Sequence, residues 1–394
     1  MLSALADHTR SDLVSTCREL LPWTREQLAA YVATESPSGD VTALDVMARR
    51  LAASHRVLDG DVEQVTGPAG THLVTTWAAD APGPPLCLLA HYDTVWPCGQ
   101  LERMPFDDDG TSATGPGVYD MKGGLVVLEC ALRALAALDL RPAQPVRAIV
   151  AADEEVGSPT AHDTVTERAA GAAAVLGLEP PHSAGGLKTG RRGSTRLRIE
   201  VHGREAHAAL DPGRGVPAID ELLDQLAAAR HTADRPGVMF NIGDIAGGGR
   251  TNVVAGWARA DLGLRFTDPT TEREVLGELR DVRPHRQGAQ VRVEVLSNRP
   301  AWPEPASAAL LDLVADLGTQ LGQRVTGAPA AGAGDTNVTG AVGHWCLDGF
   351  GPLGAGAHAL HERVEVPSIA DRAALLAAVM LTPLESALRG DETH

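Results

Sequence analysis

The sequence predicts an α/β fold, a mainly parallel sheet covered by helices, with a smaller α+β domain inserted into it. The first observation is a recurrence of short, mainly apolar runs, each leading to a histidine or a carboxylate. Leu86–Ala90 runs into His91, Val146–Ala151 into Asp153-Glu154-Glu155, and Ala172–Leu178 into Glu179. Such runs, separated by helical patterns, mark strands buried on both faces of a parallel sheet. The second is a change of pattern from Thr189 onward: Thr195–Val201 alternates polar and apolar, as a strand with one wet face does. The third is length, since 394 residues suffice for about two to three domains.

Taken in order, residues 11–33 carry helical spacing and so does Thr42–Ala53, with a turn at Glu35-Ser36-Pro37-Ser38-Gly39 between them. Strands follow at Val62–Val65 and Thr71–Trp77, and Pro82-Gly83-Pro84-Pro85 punctuates the chain before Leu86. Asp107-Asp108-Asp109-Gly110 reads as a solvated acidic loop, because no histidine or spaced carboxylate accompanies it. Gly115-Pro116-Gly117 is a turn. The helix Gly123–Leu138 is apolar almost all round and should be buried on both sides, with Pro142 and Pro145 ending it. In the second half, a helix at Val216–Arg230 precedes strands near Val238–Ile245 and Asn252–Phe266. A helix at Thr271–Val282 and a strand at Val291–Leu296 follow. The order β-α-β-β-α-β is that of the split-βαβ sandwich. The expected division is therefore 1–188 and 299–394 as two parts of one domain, and 189–298 as the insertion. Pro300, Pro303 and Pro305 mark the return, residues 306–322 are helical, and the Pro367–Ala387 segment closes with a helix.

A formal charge of −17 argues against nucleic acid or an anionic membrane surface as partner, since both require basic patches. Small anionic substrates stay open, because a few arginines or metal ions reverse the field locally. Five cysteines (17, 87, 98, 130, 346) lack CxxC spacing, which fits a reducing compartment. The N-terminus has no basic stretch leading into an apolar core, and no run of about 18 apolar residues occurs, so the chain reads as cytoplasmic.

The chemistry concentrates at the strand exits. Along a strand, residues i and i+2 point the same way, so His91 and Asp93 share a side, the arrangement of a metal-binding imidazole oriented by a carboxylate. Asp120 stands before the apolar helix, either as a second carboxylate near the first or as the helix N-cap. Three adjacent carboxylates, Asp153-Glu154-Glu155, face the crevice where open α/β sheets bind ligands, or form a surface loop.

The words His91-x-Asp93-Thr-Val-x-Pro97 and Gly115-Pro116-Gly117-x-x-Asp120-Met-Lys-Gly-Gly124 resemble those of the di-zinc exopeptidases and deacylases. That family includes bacterial glutamate carboxypeptidase, acetylornithine deacetylase, succinyl-diaminopimelate desuccinylase and aminoacylase. The resemblance implies a zinc-exopeptidase fold with a ferredoxin-like lid and dimerisation domain, and hence a homodimer. It implies two zinc ions bridged by Asp120, one also held by His91 and Glu179, the other by Glu155 and His358. His358 is taken over His361 because His358-Ala-Leu-His-Glu362-Arg-Val364 is similar to the family word HxxxExV. Two zinc ions balance Asp120, Glu155, Glu179 and one bridging hydroxide, and without cysteine the set also suits cobalt or manganese. Glu154 is then the general base for attack of that hydroxide on an amide carbonyl, and Asp93 orients His91.

In the second domain, His207 of Gly203-Arg-Glu-Ala-His207-Ala looks like the family's oxyanion-stabilising histidine, which reaches the partner subunit's site; Asn252 looks like a lid asparagine that binds substrate. Arg265 and Arg299 resemble the arginines that bind substrate carboxylates in glutamate carboxypeptidases, a task that suits a planar bidentate fork. Two departures weaken glutamate selectivity. Gly334 replaces the family's serine or threonine before Asp335, and Gly185-Gly-Leu-Lys188-Thr replaces its lysine and serine near the domain junction. The expected activity is release of a C-terminal amino acid from a peptide or N-acyl amino acid. An N-acyl-amino-acid deacylase is the first alternative, and an inactive zinc-binding scaffold the alternative of another class.

Overall fold

A computed structural model of the chain describes residues 7–389, so the first residues of the N-terminus, read above as lacking a leader, lie outside the described residues. The chain divides into two compact units. Residues up to Gly190, Glu304–Ala330 and those from Gly334 onward form one; Arg191–Pro303 with Ala331–Ala333 form the other.

The first unit is built on a six-stranded sheet. Its strands are β1 (Asp61–Gly67), β2 (Gly70–Trp77), β3 (Leu86–His91), β4 (Val146–Ala151), β5 (Ala174–Gly177) and β6 (Cys346–Leu347), in the spatial order β1-β2-β4-β3-β5-β6. β1, β2 and β4 pair antiparallel, whereas β4/β3, β3/β5 and β5/β6 are parallel. The chain runs from β3 out to β4 on one side and then to β5 on the other, so the strand order reverses at β3. Crevices at such reversals, beyond the carboxyl ends of the strands, are where open α/β sheets hold ligands. Every residue of β3 and β5 is buried, as their unbroken apolar runs require.

Helix Gly123–Ala137 is buried on nearly all sides and packs against the equally buried helix Val366–Met380. At Gly124 a Cβ would stand 2.1 Å from the Leu178 carbonyl oxygen, so only glycine lets this helix close on the end of β5. The helical stretch expected over 11–33 is two helices, Asp7–Glu19 and Leu21–Val32. Pro22 accounts for the break, since proline belongs in a first turn and not in an interior. The acidic run is not a free loop. Asp107–Asp108 pairs with Ser112–Thr114, Arg25 Nε lies 2.5 Å from Asp108 Oδ2, and Asp109 Oδ1 accepts the Thr111 and Ser112 N–H groups. Ser112–Thr114 also pairs antiparallel with Arg363–Glu365, which sets the loop after residue 114 beside the loop before residue 363.

The second unit has strands Gly193–His202, Val238–Gly247, Trp257–Phe266 and Gln290–Arg299, all antiparallel in the order second-third-first-fourth. Helices Ala218–Thr232 and Pro269–Arg280 pack on the face that carries Leu197, Ile199 and Val201. The opposite face carries Ser194, Arg196, Arg198 and Glu200, as the alternation demands. The third strand begins at Trp257, not at Asn252. The intervening residues, which include Gly248 and Gly249, form a loop bridged at Val253 to His207. Among the described residues no helix is long and apolar enough to cross a membrane, and all five cysteines are free thiols, Cys98 alone exposed.

Candidate metal centre

Three parallel strands deliver their C-terminal ends to one place. His91 closes β3, the turn Asp153–Val156 follows β4, and Glu179 comes two residues after β5. Asp120 and His358 arrive on the two loops set side by side by the Ser112–Thr114 and Arg363–Glu365 pairing. The five residues meet. His91 Nε2 lies 3.3 Å from Asp120 Oδ1 and 3.6 Å from Glu179 Oε1. His358 Nε2 lies 3.3 Å from Asp120 Oδ2 and 3.1 Å from Glu155. Asp120 thus offers one oxygen to each imidazole. Among the described residues, these two overlapping triads are the groups able to hold a metal ion.

The local backbone explains the arrangement. The His91 Nδ1–H donates to the Asp93 carbonyl at 2.9 Å, so Nε2 is the ring nitrogen left to face Asp120 and Glu179. The Asp93 carboxylate is 3.4 Å from Nδ1 and has further work. Its Oδ1 accepts the Glu154 N–H (3.0 Å), and its Oδ2 accepts the Glu155 N–H (3.1 Å) and the Ser38 hydroxyl (2.7 Å). One buried aspartate therefore seats both the imidazole and the Glu154-Glu155 turn, and explains the serine-rich turn at the rim. Asp120 does not cap the following helix: Lys122 occupies the N-cap position, with no side-chain cap bond, and the Asp120 carboxylate faces the two imidazoles instead. Gly117 before it is left-handed (φ 73°), and a Cβ there would meet Thr94 Cγ2 at 2.6 Å. His358 also sits in the left-handed region (φ 62°), an uncommon conformation for a side chain with a Cβ and one that concentrates at functional sites.

The electrostatics call for positive charge. Burial alone would lower His91, but Asp120 and Asp93 beside it, with Glu154 and Glu179 beyond, outweigh burial and raise it well above the usual range. Asp120 and Glu155 raise His358 to about 10 against partial burial. Burial would raise Asp120, yet His358 and His91 pull it far below the carboxylate range. The donor set fits divalent ions. Ligands ~2.0–2.1 Å from a tetrahedral zinc stand ~3.3–3.4 Å from one another, and the nitrogen–oxygen pairs here lie 3.1–3.6 Å apart.

Glu154 is buried on the one-turn helix Glu154–Val156, held by Asp93 through its N–H, and its charge acts on His91. His361 is exposed and belongs to neither triad. In the second unit, the exposed His207 accepts the Ala209 and Leu210 N–H groups at Nδ1 (3.2 and 3.0 Å), which fixes Nε2–H as its outward donor. The Asn252 carbonyl accepts the N–H of Ala208, so the two loops adjoin. Arg265 and Arg299 both stand opposite Ser194, one on each side of the first strand, and partial burial together with the Arg299 charge lowers Arg265.

Two residues of this region stand in the quoted motifs but had no role assigned from sequence. Glu362 is fully buried and accepts four N–H groups, and Lys122, buried, donates to the Thr34 carbonyl at 3.0 Å. Burial lowers Lys122 to about 8, against the charges of Glu362 and Glu35. The available signals were the glutamate four residues after His358 and the lysine two after Asp120.

Residues 87–382 match the family described as peptidase family M20/M25/M40. The chain is 30% identical over 225 residues to carboxypeptidase G2 of Pseudomonas sp. (strain RS-16), a match covering 56% of this chain and 54%, about half, of that enzyme. It is 28% identical over 348 residues to succinyl-diaminopimelate desuccinylase of Pseudomonas syringae pv. syringae (strain B728a), covering 82% and 88%. Its fold is similar to that of a tripeptidase from Staphylococcus aureus, with TM-score 0.70, 19% identity, and 93% and 98% of the two chains covered.

Proposed function

Because the chain belongs to peptidase family M20/M25/M40 and is thus a metal-dependent hydrolase, we propose that it releases a C-terminal amino acid from a peptide or N-acyl amino acid using two zinc ions, with cobalt or manganese as competent substitutes. The observation that carries this reading is the pair of triads sharing Asp120, one carboxylate oxygen toward each imidazole. Asp120, His91 and Glu179 would hold one ion, and Asp120, Glu155 and His358 the other. Bound there, the ions supply Lewis acidity and make water a nucleophile at neutral pH.

The protein's own groups divide the remaining work. Asp93 orients His91 and seats the turn that carries Glu154 and Glu155. Glu154, a carboxylate with no place in either triad, takes the proton of the attacking water and returns it to the leaving amine. His207, its Nε2–H turned outward by two backbone donors, is proposed as the oxyanion donor, contributed from the partner subunit of a homodimer, with Asn252 binding substrate. Arg265 and Arg299, held close across Ser194, are proposed to bind the free carboxylate, a task two mutually repelling guanidinium groups favour.

A deacylase of the desuccinylase or acetylornithine-deacetylase kind is the second reading, favoured by the match over most of the desuccinylase length and by Gly334 before Asp335. One experiment tests both. The metal-free protein is reloaded with zinc, cobalt or manganese and assayed on a panel of dipeptides, N-acyl glutamates and N-acyl diamino acids. The proposal expects metal-dependent release of a C-terminal amino acid from the dipeptides or N-acyl glutamates. Preference for an acylated diamino acid selects the deacylase, and no turnover with any metal refutes both.

A further inference from the structure

Resting on the di-metal reading, we infer that Glu362 is a positioning residue that aligns the Asp120 and His358 loops and thereby secures the Glu155/His358 ion more than the other. Glu362 is 0% exposed. Its Oε1 accepts the backbone N–H groups of Tyr119 (2.9 Å) and Asp120 (3.0 Å). Its Oε2 accepts those of Gly117 (3.0 Å) and of the Trp96 indole (2.8 Å). Among the described residues it forms no ion pair, so this buried carboxylate is held by N–H groups, with the Lys122 charge acting on it from beyond hydrogen-bond reach. A carboxylate taken out of water is tolerated only when its lone pairs are so filled, and a network of this kind is rigid.

The donors come from chosen places. Three lie on the loop that ends in Asp120, one of them the N–H of Asp120 itself. The fourth lies on the segment that leaves β3 after His91. Glu362 itself is the last residue of the loop that carries His358, whose left-handed backbone needs support from its surroundings. The strand pairing from Arg363 onward brings the two loops near each other, and the carboxylate then sets their mutual position.

The two sites depend on this lock unequally. His91 and Glu179 stand at or just beyond the ends of buried strands, and Glu155 is seated by Asp93. Without Glu362, the His91/Glu179 site would lose the support of one of its three residues, Asp120. The Glu155/His358 site would lose it for two, Asp120 and His358. Loss of a hydrogen-bonded outer partner of metal ligands typically costs 10–100-fold in affinity.

The test is a titration of metal-free wild type, E362Q and W96F with zinc and cobalt, followed by calorimetry and cobalt absorption. In E362Q the amide nitrogen faces two N–H groups and the clamp is half undone. The expected result is two ions bound by wild type, and a 10–100-fold weaker second ion in E362Q with the first within about fivefold. The cobalt bands of the second ion should change more than those of the first. W96F deletes one donor only, and should weaken the second ion severalfold, so the test survives if E362Q fails to fold. Equal weakening of both ions, or unchanged binding of both, overturns the inference while leaving the di-metal reading in place. A wild type that binds no ion removes that reading and the inference with it.

Discussion

Replacing Asp93 with asparagine is the most informative single change, because the cost can be worked from its four neighbours. The new amide group must occupy one of two positions. At Oδ1 it would face the Glu154 N–H (3.0 Å) and lie near the His91 Nδ1–H, setting donors against donors. At Oδ2 it would face the Glu155 N–H (3.1 Å) and the Ser38 hydroxyl, which can turn and accept. The second placement is cheaper and leaves one buried donor, the Glu155 N–H, unpaired. Such an orphan costs ~1–3 kcal/mol, which corresponds to about a 5- to 140-fold loss at ~1.4 kcal/mol per decade. The loss should fall on the ion held through Glu155. The His91 tautomer should survive, since the Asp93 carbonyl and not its carboxylate makes the 2.9 Å bond, so the His91/Glu179 ion should weaken by less than about tenfold. Competition of zinc between the protein and a chromophoric chelator reads the two affinities. Binding of both ions within twofold of wild type, or earlier loss of the His91/Glu179 ion, would refute the geometry assigned to Asp93.

Glu154→Gln should lower kcat by ~10²–10⁴ with two ions still bound; a loss under about tenfold would remove Glu154 as the base. Arg265→Ala and Arg299→Ala should raise KM for substrates with a free carboxylate while changing kcat little; unchanged KM for both would take the arginines out of the substrate site. In the core, burial raises Glu129 to about 7 against hydrogen bonds from Tyr31 and Gln27 (2.9 Å). The folded chain then keeps a proton that the unfolded chain, near 4.5, releases, so this group's contribution to stability falls as pH rises from 4.5 to 7, by at most ~3 kcal/mol. Buried His55, lowered to about 4 by burial, has the opposite slope between pH 4 and 6.5. The measurement is therefore the difference between Glu129→Gln and wild type, and denaturant melts should show the variant gaining relative stability from pH 5 to 8.

What could be read in advance and what could not follow from the range of the interactions. His91 and Glu179 stood out because a buried strand announces its own end: the apolar run stops, and a polar side chain follows at the crevice; the choice of Glu155 among three adjacent carboxylates came from the family resemblance and not from the strand. The inserted unit was legible because alternation along its first strand separates Leu197, Ile199 and Val201 from Arg196, Arg198 and Glu200. Pro22 gave notice of a break in the N-terminal helix, but periodicity on both sides hid it. In the Asp107–Thr114 hairpin, Asp108 is met by Arg25, 83 positions away, and no local pattern reports such a partner. The four donors of Glu362 likewise lie 242 to 266 positions away, so its part in the centre exists only once the loops have met.

Diffraction from crystals grown with zinc, recorded at the zinc absorption edge, tests the centre most directly. The account predicts two anomalous peaks ~3.5–4 Å apart, with Asp120 between them, one beside His91 and Glu179 and the other beside Glu155 and His358. An anomalous map with no peak there, or with a single ion that Asp120 does not touch, would contradict it.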